Sequence, residues 1–233
     1  MVFFNLIFLN LNHRKICFVK NEKITDELVR RHPLLAFVKE PVEQAAAALI
    51  DCYTRGGKVL ICGNGGSSAD ADHIVGELMK GFENLRPVDN SFKNQLKSVS
   101  DDRGEYLASK LQQALPAISL TVHQALITAV ANDTDADLIF AQQVMGYGSK
   151  GDVLIAISTS GNARNVLDAI ITARARGLIV IGITGESGGK MKPLCDIVIN
   201  VPESRTAYVQ ELMLPVFHAL CLMVEGHFFG TDS

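Results

Sequence analysis

The chain has 233 residues, 48% of them hydrophobic, enough to build one domain around a sizeable core. Its 22 basic and 25 acidic residues give a formal net charge of −3, which excludes a global basic field for nucleic acid or an acidic membrane surface. A small diffusible ligand is the expected partner, with no nucleic acid and no membrane.

The opening residues 1–21 are apolar, but Asn5, Asn10, Asn12, His13 and Arg14 interrupt them too often for a bilayer span. No basic start or small-residue cleavage site marks a signal peptide. This stretch reads as an irregular extension, either an added edge strand or a start assigned too far upstream, ahead of a single domain over 22–233. Cys17, Cys52, Cys62, Cys195 and Cys221 form no Cys-x-x-Cys pair and are odd in number, the usage of reduced core thiols in a cytoplasmic protein. Two N-terminal packing helices follow. Thr25 is expected to cap ITDELVRR, Pro41 suits the first turn of PVEQAAAALIDCYTR, and Gly56 with Gly57 stops it.

From there short apolar runs alternate with helical patterns. Strands are predicted at Lys58–Gly63, Ala117–Val122, Asp152–Ser158, Leu178–Thr184 and Asp196–Val201, and helices at His73–Phe82, His123–Ala131, Ala163–Arg176 and Tyr208–Glu225. Continuous β-branched runs suit strands buried on both faces. The prediction is an α/β fold, a three-layer αβα sandwich with a five-stranded parallel sheet and extra N-terminal helices. Ligands of such sheets gather beyond the carboxyl ends of the strands. The polar stretch 83–116 is too long for an ordinary loop. With a helical pattern near Glu105–Leu115, it reads as a solvated surface insertion in preference to a lid or an edge of a neighbouring subunit's pocket.

Two strand-to-helix turns carry the chemistry. GNGGSSADADHIVGE, from Gly63 to Glu77, follows the first strand. A dinucleotide reading fails because Ser68 stands where the third glycine belongs and no second strand supplies an acidic ribose ligand; the Gly-Lys-Ser/Thr ending of a P-loop is absent too. Asn64, Gly65 and Ser67 in this turn are echoed by Ser158, Thr159, Ser160 and Asn162 in STSGN. Hydroxyls beside free N–H groups at a helix start make an anion site, and without a lysine it suits a sugar phosphate better than a triphosphate. Capping of the following helix by Ser160 or Asn162 is the competing reading. His73 and Glu77, four apart, share a helix face and can present a nitrogen and an oxygen to one ion. Gln210 and His218 lie about 80° apart on an ideal helix, with Pro215 between them expected to bend the turn. By spacing alone, a surface pair and a hydrogen-bonded core histidine remain the commoner explanations.

GNGGSSADADHIVGEL, ANDTD, GDVLIAISTSGNARNV, GESGGKM and YVQELMLPVFH together resemble the SIS-domain sugar-phosphate isomerases, specifically the phosphoheptose (sedoheptulose 7-phosphate) isomerases, over roughly Val42 to Gly226 apart from the insertion. The resemblance implies the SIS fold and aldose-ketose isomerisation through an enediol. It also implies one zinc per subunit held by His73, Glu77, Gln210 and His218, with Glu77 and His218 as proton-transfer groups. Ser67, Ser158 and Ser160, with Thr159 beside them, would hold the phosphate, Asn64 and Asp133 would line the sugar, and the assembly would be a homotetramer. Non-catalytic SIS relatives, including assembly proteins that associate with the replication initiator, and sugar-phosphate sensors are the alternatives. The assembly relatives tend to lose the acid/base histidine, which here is retained as His218, and the sensor reading finds no DNA-reading segment or basic patch in this sequence. The chain departs from the pattern at Ala207-Tyr208-Val209, where an Asp-Arg pair is usual, and at Gly81, where a basic residue is usual and Lys80 lies alongside. These departures bear on which sugar is taken more than on the class.

Overall fold

The computed structural model describes residues 22–230, so the N-terminal extension and Cys17 lie outside the described residues. Five strands, β1 (Val59–Gly63), β2 (Ala117–Ser119), β3 (Val153–Ser158), β4 (Ile179–Thr184) and β5 (Ile197–Asn200), form one parallel sheet in the order β2-β1-β3-β4-β5. Each lies inside its predicted run. The main correction is β2, which ends at Ser119 rather than Val122 as the chain turns away at the sheet's edge.

The strands alternate in what they face, because successive side chains point to opposite sides of a sheet. Val59 and Ile61 of β1, with Val153, Ile155 and Ile157 of β3, pack against α2 (Lys39–Thr54), α3 (Gly66–Met79) and α9 (Thr206–Phe229). Leu60 and Cys62, with Leu154, Ala156 and Val180, pack on the other side against α7 (Ile139–Tyr147) and α8 (Arg164–Ala175). Both faces are therefore covered, which is why the strands carry no polar alternation. Each wholly buried Leu or Ile contributes about 1.5–3 kcal/mol of hydrophobic stabilisation.

Several helix predictions are refined. Residues 22–31 form α1, and Thr25 lies inside it rather than at its cap: fully buried, its hydroxyl donates to the Glu22 carbonyl and the Glu43 carboxylate. Helix α3 begins at Gly66, seven residues before the predicted start, and α7 was not foreseen. Between α7 and the edge strand lies α6 (Gln124–Asp133), close to its prediction. The 83–116 stretch contains two helices, α4 (Asn90–Val99) and α5 (Asp101–Lys110), packed on each other; Gly104 lies so close to the Leu96 carbonyl that a Cβ would overlap it. The α4–α5 hairpin is mostly polar outside, with Phe92, Val99 and Tyr106 also exposed, but its base is fastened. The Gly81 N–H donates to Gln112 Oε1 (2.8 Å), Gln113 N–H to the Arg86 carbonyl (2.7 Å) and Leu115 N–H to the Leu78 carbonyl (3.0 Å).

Helix α9 is long and apolar enough to cross a membrane by length and composition. Here its Val209, Met213, Val216, Phe217, Leu220 and Val224 are core residues, and it continues through Pro215. The carbonyl that Pro215 deprives of its helical partner belongs to Glu211, an exposed residue, so water can take that bond. Burial raises the Cys52 thiol to about 11 and those of Cys62 and Cys195 to about 12, and lifts Cys221 as well. All four are free, as a reduced set requires.

Near the end of α9, Glu225 is wholly buried. Its carboxylate accepts from the backbone N–H groups of Phe82 (2.7 Å), Glu83 (2.9 Å) and Asn84 (3.1 Å), from Asn84 Nδ2 and from Arg86 Nε (2.9 Å), and Arg86 is itself fully out of water. Burial alone would raise its pKa, but these donors together hold it below the ordinary 4.5. A depressed folded-state pKa gives stability that is present above 4.5 and lost as pH falls through the folded value. Glu225→Gln should cost about 3–5 kcal/mol at pH 7, since it strands a buried guanidinium. In urea unfolding from pH 7 down to pH 3, the gap between wild type and variant should narrow below the ordinary carboxylate range; a constant gap would count against the ionised pair.

Candidate active site

The chain leaves β1 toward α3 on one face of the sheet and leaves β3 toward α8 on the other, so a crevice opens where β1 and β3 lie side by side. Both turns meet there. Asn64 and Asn165 exchange side-chain hydrogen bonds of 2.8 and 3.0 Å across the gap, tying the first turn to the start of α8. Ser67 and Ser158 are buried, while Thr159 is half-buried and Ser160 exposed.

Neither helix is capped by a side chain. The N-cap of α3 is Gly65 and that of α8 is Ala163, with no side-chain cap bond at either. The capping role considered for Ser160 and Asn162 is thus not what they do at α8. Ser160 Oγ accepts from the Asn162 N–H (3.2 Å), Asn162 Nδ2 donates to the Ser160 carbonyl (2.8 Å), and Asn162 Oδ1 accepts from the Lys190 N–H (3.1 Å). These bonds shape the turn ahead of α8, whose first N–H groups lack helical partners, the arrangement that receives an anion; at α3 the Ser67 and Ser68 N–H groups already donate to the Asn64 and Gly65 carbonyls (both 3.0 Å).

Gly161 is where this turn depends on glycine. Its φ is +66°, and a Cβ would overlap the Gly188 carbonyl of the GESGGKM loop, whose Met191 N–H donates to the Gly161 carbonyl.

The second half of the site runs along α3 and α9. His73 Nε2 lies 3.2 Å from Glu77 Oε1 and 3.4 Å from His218 Nε2, with the His73 and His218 rings edge to face at 5.0 Å. Burial, and then the neighbouring His73, hold His218 below its ordinary 6.5, so its ring is neutral at pH 7. Glu77 is 14% exposed, and its Oε2 is buried without a hydrogen-bond partner; the Lys80 ammonium stands 3.7 Å away. His218 also lines a cavity of about 620 Å³, bounded by Leu28 and Arg31 of α1 and by Leu214 and Leu222 of α9.

Three of the four expected metal-binding side chains therefore meet, while Gln210 stands apart. Its amide sits over Gly66 at the start of α3, where a Cβ would overlap it. Two imidazoles and a carboxylate are the donor types that zinc takes, and an orphaned buried oxygen on Glu77 fits such use. As they stand, the side chains touch one another rather than surround a common point: among the described residues no group of three His, Cys, Asp or Glu is arranged around an ion. Asp133 ends α6 exposed, accepting from Asn132 Nδ2, and the nearby Asp137 pairs with Arg164 at the start of α8. At the departure from the family pattern, Tyr208 is held by Arg205, whose Nη1 donates to the phenol oxygen (3.0 Å).

Three residues were not foreseen. Asn165 carries no special signal in its helix. Arg86 and Glu225 had one: a lone carboxylate in the apolar run ALCLMVEG calls for a buried partner.

Comparison with known proteins places this geometry. The SIS domain family matches residues 31–101 and 104–185. A phosphoheptose isomerase of Rhodospirillum rubrum is 42% identical over 184 residues, covering 79% of this chain and 84% of that protein. The solved phosphoheptose isomerase of Neisseria gonorrhoeae superposes with a TM-score of 0.66 at 32% identity over 93% of this chain and 99% of its own, and that of Francisella tularensis with 0.66 at 31% over 92% and 97%.

Gly161→Ala should distort the serine turn against Gly188. The variant should lose about 1–3 kcal/mol of stability and bind inorganic phosphate at least about tenfold more weakly by calorimetry, the loss of roughly one charge-assisted contact. Parental phosphate affinity in the folded variant would remove this turn from the anion site.

Proposed function

Because this chain belongs to the SIS-domain family of phosphoheptose isomerases, we propose that it interconverts sedoheptulose 7-phosphate and D-glycero-D-manno-heptose 7-phosphate. The observation that carries the proposal is a matter of length. Ser67 at the turn and His73 in the cluster are separated by about 9 Å of helix rise along α3, the span of an open-chain heptose with a terminal phosphate. One end of the crevice offers hydroxyls and the first N–H groups of α8, and the other offers acid/base groups.

The phosphate is held at Ser67, Ser158 and Ser160, with Thr159 and the turn's N–H groups around it. Asn64, Gly65 and Asn162 shape that end, Gln210 over Gly66 faces the sugar, and Asp133 lines it. Reaction moves a proton between adjacent carbons. The Glu77 carboxylate takes one from C1 of the ketose, leaving an enediol, and returns it to C2; His218 carries the accompanying proton between the two oxygens. A neutral imidazole suits that exchange, since it can accept at one nitrogen while donating from the other. His73, Glu77 and His218 would hold zinc, with Gln210 outside that set in its place over Gly66, and the bound ion would supply Lewis-acid polarisation of the carbonyl.

A homotetramer is part of this proposal, supported by large apolar side chains that one chain leaves in water, Phe37 at 85% and Leu85 at 87% exposure. So is a cytoplasmic setting, consistent with the free thiols. The non-catalytic assembly reading is not favoured, since the acid/base residues converge and the relatives carry an enzyme's name.

The test is conversion of sedoheptulose 7-phosphate to the aldose, followed by NMR with and without added zinc. Zinc-dependent conversion is expected. Binding without conversion, alongside turnover of a different ketose phosphate, would replace the substrate, and no turnover of any would end the enzyme reading. Glu77→Gln should lower kcat by at least about a hundredfold, the usual weight of a general base, while the phosphorylated sugar still binds. A near-normal rate would refute the assignment of the base.

A further inference from the structure

The Glu77 carboxylate has little around it to fix its aim. One oxygen contacts His73, the other is buried without a hydrogen-bond partner, and Lys80, 60% exposed, is 3.7 Å away. With so few polar contacts, where it can reach depends on the placing of its backbone, in the last turn of α3, whose final carbonyls have no helical partners. Arg86 takes them. Its Nη1 donates to the Leu78 carbonyl (2.7 Å) and Nη2 to the Glu77 carbonyl (3.1 Å), while Nε donates to Glu225 Oε1 (2.9 Å). The guanidinium lies over the Phe229 ring at 4.7 Å and is completely buried.

Glu225 sits seven residues beyond His218 on α9, two turns along the same helix. Three contacts thus run in order between α3 and α9: Gly66 with Gln210, His73 with His218, and the Glu77–Leu78 carbonyls with Glu225 through Arg86. The first two involve groups that must engage a substrate. The third lies outside the crevice and is the strongest.

We propose that Arg86, locked by Glu225, is a positioning residue for proton transfer. It fixes the register of α3 against α9, so that Glu77 and His218 address the same substrate carbons. The inference rests on the isomerase reading above. A lysine cannot reproduce it, since a point charge on a flexible stem lacks the fork that reaches two carbonyls and a carboxylate at once.

The test uses the full chain and three readouts: thermal midpoint, kcat against KM for sedoheptulose 7-phosphate, and zinc affinity by calorimetry. Arg86→Lys should remain folded at 25 °C with a lowered midpoint, lose about tenfold to a hundredfold in kcat and keep KM within about threefold. The double variant R86M/E225L removes both buried charges together but leaves the Phe82, Glu83 and Asn84 N–H groups without their acceptor, so it should remain folded at 25 °C with a midpoint below wild type. It should still show the loss in kcat, with zinc bound about tenfold more weakly.

If the double variant is folded with kcat and zinc affinity both at wild-type values, Arg86 is a stability residue only and the proposal fails. A raised KM at wild-type kcat would also overturn it, assigning Arg86 to substrate binding. A wild-type chain that binds zinc but does not turn over the sugar would sink the isomerase reading, while weaker zinc binding by R86M/E225L would still uphold the register claim.

Discussion

A carboxylate and a guanidinium, both withdrawn from water, determine how this molecule is put together. Taking two such charges out of solvent costs several kcal/mol per ion even after relaxation. The cost is offset only if every direction in which they can bond is used. Glu225 is met by three consecutive backbone N–H groups, an amide and a guanidinium nitrogen, and Arg86 spends its remaining edge on the last carbonyls of α3. The Phe82–Asn84 segment cannot take another path without stranding the carboxylate, and α3 cannot slide along α9 without stranding the guanidinium.

This explains how the chain tolerates the α4–α5 hairpin between its first helix–sheet unit and its edge strand. The hairpin is closed at its base by the Gly81–Gln112, Arg86–Gln113 and Leu78–Leu115 hydrogen bonds, the last sharing its carbonyl with Arg86. Beyond that base, α4 and α5 pack mainly on each other and contribute little to the core, with only Gly104 and Ala108 buried. Lengthening such an excursion costs only slowly increasing closure entropy. Strand β2 is delivered to the sheet edge by the clamp, whatever the hairpin does.

Much of this was legible in the sequence, and what was not has physical reasons. Strands buried on both faces leave unbroken β-branched runs, so β1, β3, β4 and β5 could be located within a residue or two. The two turns announced themselves because glycines and hydroxyls between a strand and a helix have few other uses. Helix starts were harder: α3 begins on Gly66, an atypical first residue whose place is set by the turn and by Gln210 above it. Helix α7 was hidden because its apolar residues are spread around most of its circumference. The Arg86–Glu225 pair joins positions 139 apart in sequence, and no local periodicity records such a distance. The separation of Gln210 from the histidine cluster, likewise, is a matter of side-chain direction that spacing on a wheel cannot supply.

The two ends of the crevice are therefore built on different foundations. The anion end is mainly backbone: two helix starts and a turn around Gly161, all anchored to adjacent strands β1 and β3 whose register the core fixes. It depends on the sheet and hardly at all on which helix faces which. The reacting end is entirely side chain, supplied by two helices that meet each other on one face of the sheet, and its geometry follows their mutual register. A substitution in the core of β3 would disturb where a phosphate rests, whereas a change at the remote ends of α3 and α9 would disturb what is done to the carbon at the other end. Binding and chemistry can thus vary separately on one scaffold, which is the physical content of the rule that function belongs to a site and not to its fold.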